Sequence, residues 1–275
     1  MLFINQRLPG FAITFGSSLL FICLILLLPL SALVMQLSQI SWIQYWNIIS
    51  DPALLAAYKI TFLSAGIAAL FNALFGLMVS WVIIRYQFPG HGLLDSIIDL
   101  PFALPTAVAG LTLSTLFSDH GWYGSWLSKI GITVTYTWVG ITIAMIFTSI
   151  PFVVRSVQPV LEEYSVEYED AAKTLGASNW QIFYNIIFPE LIPAWLSGVL
   201  LSFIRSLGEF GAVIFIAGNI AWKNEVISLV IFVKLQEFDY PAAAAISSVI
   251  LIISLILLFF INMLQVRLNQ KLQGY

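Results

Sequence analysis

The chain has 275 residues, 60% of them apolar and 9% charged, with 11 basic and 14 acidic side chains, a single cysteine and a mean hydropathy of +0.96. A water-soluble domain carries about 25% charged residues, so this composition excludes a soluble globular fold and a disordered chain. A net charge of −3 gives no basic face for nucleic acid, and Cys23 alone supports neither a disulfide framework nor a thiolate cluster.

Uncharged runs cover 8–50, 60–84, 100–118, 130–154, 191–204, 210–222 and 240–266. A bilayer core needs about 20 helical residues. The runs therefore predict an all-α integral membrane protein with six transmembrane helices near 11–36, 60–84, 98–118, 132–154, 191–216 and 242–266. The first is too long for the apolar stretch of a signal peptide and is expected to be retained. The fifth joins two short runs across Arg205 to Glu209. A seventh element arises if residues 225–233 dip into the membrane, although nine residues do not span it. No period-two alternation supports a β-barrel. Trp42, Tyr45, Trp46, Trp122, Tyr123 and Trp126 cluster near span ends and read as interfacial belts.

With six spans and both termini on one side, the termini and even-numbered loops hold Arg7, Arg85, Arg155, Lys173, Arg267 and Lys271. The other loops hold Lys59, Lys129, Lys223 and Lys234. The excess places the termini in the cytoplasm. No G-x-x-x-x-G-K-[ST] phosphate loop occurs. His91 and His120 fall in loops on opposite sides, so neither ATP hydrolysis nor a metal site is expected.

Residues 155–190 form the longest polar connector, with a formal charge of −4. Leu161, Tyr164, Tyr168, Ala171, Ala172 and Leu175 recur at helical spacing, and Gly176 follows as a helix stop. Ser178 and Gln181 then match a capping box that opens a second helix with an apolar stripe of Trp180, Phe183, Tyr184 and Ile187. An acidic segment is repelled by anionic lipid. It suits a groove on another protein, or else packs on its own bundle.

The stretch Asp170-Ala171-Ala172-x-x-x-Gly176, followed by Ile186-Ile187-Phe188-Pro189, resembles the E-A-A-x₃-G-x₉-I-x-L-P loop of ABC-importer permeases, the binding-protein-dependent transport inner-membrane components. Asp170 stands for the usual Glu, with Glu169 just before it, and Phe188 for the usual Leu. LPFALPTAVAG (100–110), TSIPFVVRSVQPVLE (148–162), RSLGEFGAVIFIAGNIAW (205–222) and LQEFDYPAA (235–243) are similar to the sulfate/thiosulfate permeases of the subunit T type. The R-x-L-G-E-F-G pattern is shared with the related molybdate permeases, which are shorter at the N-terminus.

The resemblance implies a type I importer permease (molybdate/methionine-permease-like) that is a single domain over 1–275. Within it lie an N-terminal helix and outer loop (1–59) and a core (60–266) containing the coupling segment 155–190. It implies that Glu169, Asp170, Ala171, Ala172, Gly176, Ile186 and Pro189 couple to a separate ATPase. The partners are a second homologous permease, two ATPase subunits that bind ATP and Mg, and a periplasmic sulfate- or thiosulfate-binding protein. The location is the bacterial inner membrane, and no cofactor is expected in this chain. A permease for another oxyanion, molybdate or tungstate, is the alternative. A secondary transporter would need an inverted repeat, which is not evident.

Candidate pathway residues are few. Gly198, Ser202, Arg205, Glu209 and Ala212 are expected to line one stripe of the fifth span. Ionisable groups there cost at least ~2.5 kcal/mol each at the bilayer centre and must face protein or water. Arg205 is expected about 21 Å along a helix that starts at Leu191. The pair either attracts an oxyanion or only fixes packing. Pro101, Pro105 and Thr106 are expected to kink the third span beside the pathway, or merely to pack. Ala65, Ala69 and Ala73 form a small-residue stripe suited to helix–helix contact.

Overall fold

The computed structural model describes residues 11–218, 220 and 222–273. Arg7 therefore lies outside the described residues, as do the side chains of Arg267 and Lys271. In chain order the helices are α1 (Phe11–Ile22), α2 (Leu28–Leu37), α3 (Trp42–Ile49), α4 (Pro52–Arg85), α5 (His91–Ile98), α6 (Leu100–Ala103), α7 (Thr106–Phe117) and α8 (Gly124–Lys129). They continue as α9 (Trp138–Glu163), α10 (Glu167–Thr174), α11 (Asn179–Ile182), α12 (Phe188–Leu207), α13 (Val213–Ile216), α14 (Ile227–Gln236) and α15 (Tyr240–Gln273). π-helical turns at Cys23–Leu27 and Phe183–Ile187 join α1 to α2 and α11 to α12. The described residues contain no strand.

Five helical stretches are long and apolar enough to cross a membrane: Ile13–Leu37, Pro52–Arg85, Trp138–Glu163, Asn179–Leu207 and Tyr240–Met263. They match five of the six expected spans. The third expected span, 98–118, is present as two helices, α6 and α7, and not as one kinked rod. Leu104 sits in extended geometry (φ −82°, ψ 135°). Clash with the ring of a following proline disfavours the helical region there. α7 alone is 12 residues, about 18 Å.

The fifth expected span is corrected at both ends. It begins with α11, where Ser178 and Gln181 form the expected capping box, and runs through the π-turn into α12. It stops at Leu207, with Gly208 as its C-cap. Residues 208–212 leave the helix before the short α13, so Glu209 and Ala212 are not on the helical stripe expected for them. Of residues 225–233, those from Ile227 onward belong to the ten-residue α14, and Glu225 and Val226 precede it.

The chain divides into two compact units. One comprises the residues up to Asp51 with Ile231–Val249; the other comprises Pro52–Val230 with the residues from Ile250 onward. In the first unit, Ser41 and Gln44 form a capping box on α3, and Tyr45 Oη lies 3.0 Å from Ser248 Oγ. In the second, α4, α9 and α12 pack on one another. The expected alanine stripe, Ala65, Ala69 and Ala73, is buried, and small side chains there let helix backbones approach. Asn72, Ser149, Ser202 and Ser206 fill the middle of this trio. Ser149 Oγ is 2.8 Å from Asn72 Nδ2, 2.9 Å from Ser202 Oγ and 3.1 Å from Ser206 Oγ. Polar side chains with partners of this kind hold helices together in an apolar surround.

Candidate functional site

The coupling segment forms at one end of α4 and α9. The spacing predicts one helix from Leu161 to Leu175. The structure instead ends α9 at Glu163, passes through the non-helical residues 164–166, and restarts at Glu167. Tyr164 is extended (ψ 118°), and Ser165 Oγ accepts from Glu167 N at 3.3 Å. α10 then closes on Gly176, whose φ of +85° lies in the left-handed region. Gly176 N donates to Lys173 O at 2.9 Å and Ala177 N to Ala172 O at 3.0 Å, the paired bonds of a Schellman stop.

The two faces of α10 differ. Ala172 is buried with Val157, Leu161, Ile182, Ile187 and Leu191, while Ile186 packs against that cluster. Ala171, Gly176 and Pro189 are exposed. Leu175 is 88% exposed, and Tyr168, Trp180 and Tyr184 also turn outward. The stripe for which both directions were open thus divides: Ile187 packs on the bundle and Trp180 and Tyr184 face outward, as does the carboxylate of Asp170, whose side chain is 66% exposed. Asp170 pairs only locally with Lys173, at 3.1 Å.

Glu169, which the resemblance groups with the ATPase-coupling residues, turns inward instead. Its side chain is 14% exposed, and Oε1 lies 2.5 Å from Arg85 Nη2 at the last residue of α4. The Arg85 guanidinium lies 5.2 Å from the Trp81 ring centre and 5.9 Å from that of Tyr164, within cation–π range. Burial, reinforced by the charge of Glu169, pushes the Tyr164 hydroxyl up from its ordinary pKa. An open cavity of about 630 Å³ lies beside this junction, lined by Gln87, Phe88, His91, Glu162, Tyr164 and Val166 among others.

A second polar junction ties α5 to α9. Arg155 donates to both oxygens of Asp99, at 2.8 and 2.6 Å, and to Asp95 Oδ1 at 2.7 Å. Gln158 Nε2 also donates to Asp95, at 3.1 Å. The hydrogen bond from Gln158, with the charge of Arg155, holds the Asp95 carboxyl below its ordinary pKa against the opposing effect of burial. Both junctions escaped the pattern reading, because ion pairs between helices far apart in sequence have no periodicity. The available signal was their common side: Arg85, Arg155, Asp95 and the acids of 162–170 fall in even-numbered loops, and Asp99 at the start of the third expected span.

The pathway candidates separate into a buried set and a partly open one. Ser202 is fully buried in the polar cluster and Pro101 is buried, whereas Pro105 is exposed. Arg205 Nη1 and Glu209 Oε2 form the expected ion pair at 2.7 Å, with side-chain exposures of 33% and 1%. Arg205 lies in the last turn of α12, where a positive charge suits the helix dipole. Measured from Asn179 it is about 39 Å along the helix, nearly at its end, not 21 Å along as expected from Leu191.

Glu209 anchors the loop that follows. Its Oε1 accepts from Ala212 N at 2.9 Å, and its backbone oxygen accepts from Ser228 Oγ at 2.8 Å. This loop packs onto the start of α7. A methyl group added at Gly211 would overlap the Thr106 hydroxyl, and one at Gly110 would overlap the backbone of Ala212. The two interrupted spans therefore meet at their breaks, Leu104-Pro105-Thr106 against residues 208–212. Non-helical backbone at membrane depth is stable only where protein or a water-filled cavity surrounds it. Among the described residues no group of three His, Cys, Asp or Glu side chains is placed to hold a metal.

Residues 72–274 match the model of a protein family described as binding-protein-dependent transport system inner membrane component. Over 271 residues the chain is 67% identical to the sulfate transport system permease protein CysT of Escherichia coli (strain K12), covering 98% of each chain. It is 64% identical over 277 residues to the protein of the same name from Salmonella typhimurium, covering 100% of each. It is 44% identical over 248 residues to that of Synechocystis sp., covering 90% of this chain and 87% of the relative. A solved bacterial alginate ABC transporter, in complex with an alginate pentasaccharide-bound periplasmic protein, superposes with a TM-score of 0.75 at 19% identity, over 94% of each chain. At that identity the likeness is one of fold.

Proposed function

The chain belongs to the binding-protein-dependent transport system inner membrane components, and we propose that it is the permease subunit of an ATP-driven sulfate/thiosulfate importer. It forms half of a translocation pathway and performs no chemistry on its substrate. The observation that carries the reading is full-length likeness to sulfate permeases, with α10 presented on an outward apolar and acidic face. ATP and Mg are bound by a partner ATPase. A second, homologous permease completes the pathway, and a periplasmic binding protein delivers the anion.

In this reading Asp170, Ala171, Gly176 and the exposed Tyr168 and Leu175 meet the ATPase. Ala172 and Ile186 seat the segment on its own bundle, and Pro189 lies near the start of α12. Termini and α10 share the cytoplasmic side of the inner membrane, which places Arg205 near the outer end of its span. Arg205 keeps donors free of Glu209 and is one-third exposed, so it is the group able to attract a doubly charged oxyanion. Glu209 tempers that attraction, because conduction requires binding weak enough to release. Pro105 and Thr106 border the same region. Ser202 and Pro101 support it from within.

Alternating access follows from preferential binding of partners to different states. The complex is tested in proteoliposomes with labelled sulfate, with and without the ATPase and ATP. Uptake is expected only when both are present; uptake by the permeases alone overturns the importer reading. Arg205→Ala is expected to lower uptake in the same assay. Unchanged uptake leaves the ion pair a packing device.

A further inference from the structure

We propose that Arg85 and Glu169 are a positioning pair that passes the movement of α10 to α4, so that the pair sets how much anion is imported per ATP hydrolysed. The inference rests on the importer reading and adds to it a route by which force leaves the docking segment.

α10 has eight residues, too few to hold helical structure alone in water. Non-helical residues 164–166 precede it and residues 175–178 follow it, with a left-handed glycine among the latter. Such joints let it pivot. Among the described residues, two contacts from α10 to the helices around it oppose free pivoting. One is the burial of Ala172, a single methyl group in an apolar cluster. The other is the Arg85–Glu169 pair. Of the ion pairs that α10 makes among the described residues, Asp170–Lys173 stays within the helix and Arg85–Glu169 reaches a span.

The pair is built to persist. Both side chains are largely withdrawn from water, which reduces screening. Glu169 is in the first turn of α10 and Arg85 in the last turn of α4, so each charge also suits the dipole of its own helix. Trp81 and Tyr164 hold the guanidinium between two rings. Tyr164 is itself one of the hinge residues, so hinge and tie share a side chain. The adjoining cavity leaves room for the hinge to shift while the pair stays closed. A pull on α10 then acts on the end of α4, which packs along both α9 and α12.

The test uses the assembled importer with Arg85→Gln, Glu169→Gln, the double variant and Arg85→Lys. Three quantities are read: ATPase retained on purification, ATP hydrolysed and labelled sulfate imported. Each Gln variant is expected to keep its ATPase and its hydrolysis. Sulfate imported per ATP is expected to fall at least about fivefold, the lower end of typical coupling between sites. The double variant is expected to lose no more than either single one, as partners in one interaction do, and Arg85→Lys to retain most of the ratio.

An unchanged ratio in either Gln variant overturns the pair's role. So do losses that multiply in the double variant, or hydrolysis and import falling together with loss of the ATPase in both the Gln and Lys variants. The wild-type arm separates the two levels. ATP-driven uptake with an unchanged variant ratio removes this inference alone, whereas wild-type uptake without ATP removes the importer reading and this inference with it.

Discussion

Arg205 and Glu209 show how a spacing can predict a contact and misplace its cause. Four residues apart on one helix they would face the same way. They do pair, but across a helix end, with Glu209 turned back by its bond from Ala212 N. Glu209 thus holds the chain break in place as well as offsetting a charge. Glu209→Gln keeps an acceptor for Ala212 N and leaves Arg205 without its counter-ion. Arg205 is partly solvated, so the expected cost is about 1–2 kcal/mol, below the 3–5 kcal/mol of a fully buried pair. Glu209→Ala, which also removes the acceptor, is expected to cost more. Thermal unfolding of the purified complex in detergent measures both, and equal midpoints for wild type and Glu209→Ala would show that the loop needs no anchor. Glu169 gives the same lesson. Its charge and its neighbours were legible in the sequence, but its direction, inward to Arg85, was set by a helix end 84 positions away.

At the scale of elements, local chemistry was legible wherever the signal was itself local. The Ser178–Gln181 capping box and the Gly176 stop form as expected, because each depends on residues within one turn. Full breaks inside the expected spans 98–118 and 191–216 were legible only in part, the first as a proline kink. Hydropathy measures the preference of side chains for lipid and says nothing of whether the backbone stays helical. Pro105 offered a hint, since its effect on Leu104 is local. The end of α12 at Gly208 offered less, because its loop is held by Thr106 and Ser228 from elsewhere in the fold as well as by its own Glu209.

Gly176→Val is the corresponding prediction. A side chain at φ +85° costs about 1–2 kcal/mol, more for a branched one, and the strain is relieved by reorienting α10. Membrane insertion and ATP hydrolysis are expected to continue while uptake falls. Uptake at the wild-type rate would show that the docking segment tolerates another entry angle.

For the whole molecule, selectivity is the open quantity. The fold is shared with a bacterial alginate ABC transporter at 19% identity, so architecture does not choose the substrate. Competition of labelled sulfate uptake by excess sulfate, thiosulfate and molybdate is expected to rank molybdate last when the cognate binding protein is present. Equal competition by molybdate would move the chain to the molybdate-like reading that its R-x-L-G-E-F-G segment leaves open.

By itself the sequence determined the membrane class, the existence and approximate place of the five long helices, the acidic connector and its glycine stop, and the family resemblance. These follow from composition, run length and contiguous motifs, which are one-dimensional properties. Only the tertiary structure decided that two spans break and meet at their breaks, that Ser202 joins a buried cluster with Asn72 and Ser149, and that Glu169 faces Arg85 while Asp170 faces outward. Those outcomes depend on which side chains from distant segments arrive together when water is excluded. Such pairing is fixed by packing and has no counterpart in periodicity along the chain.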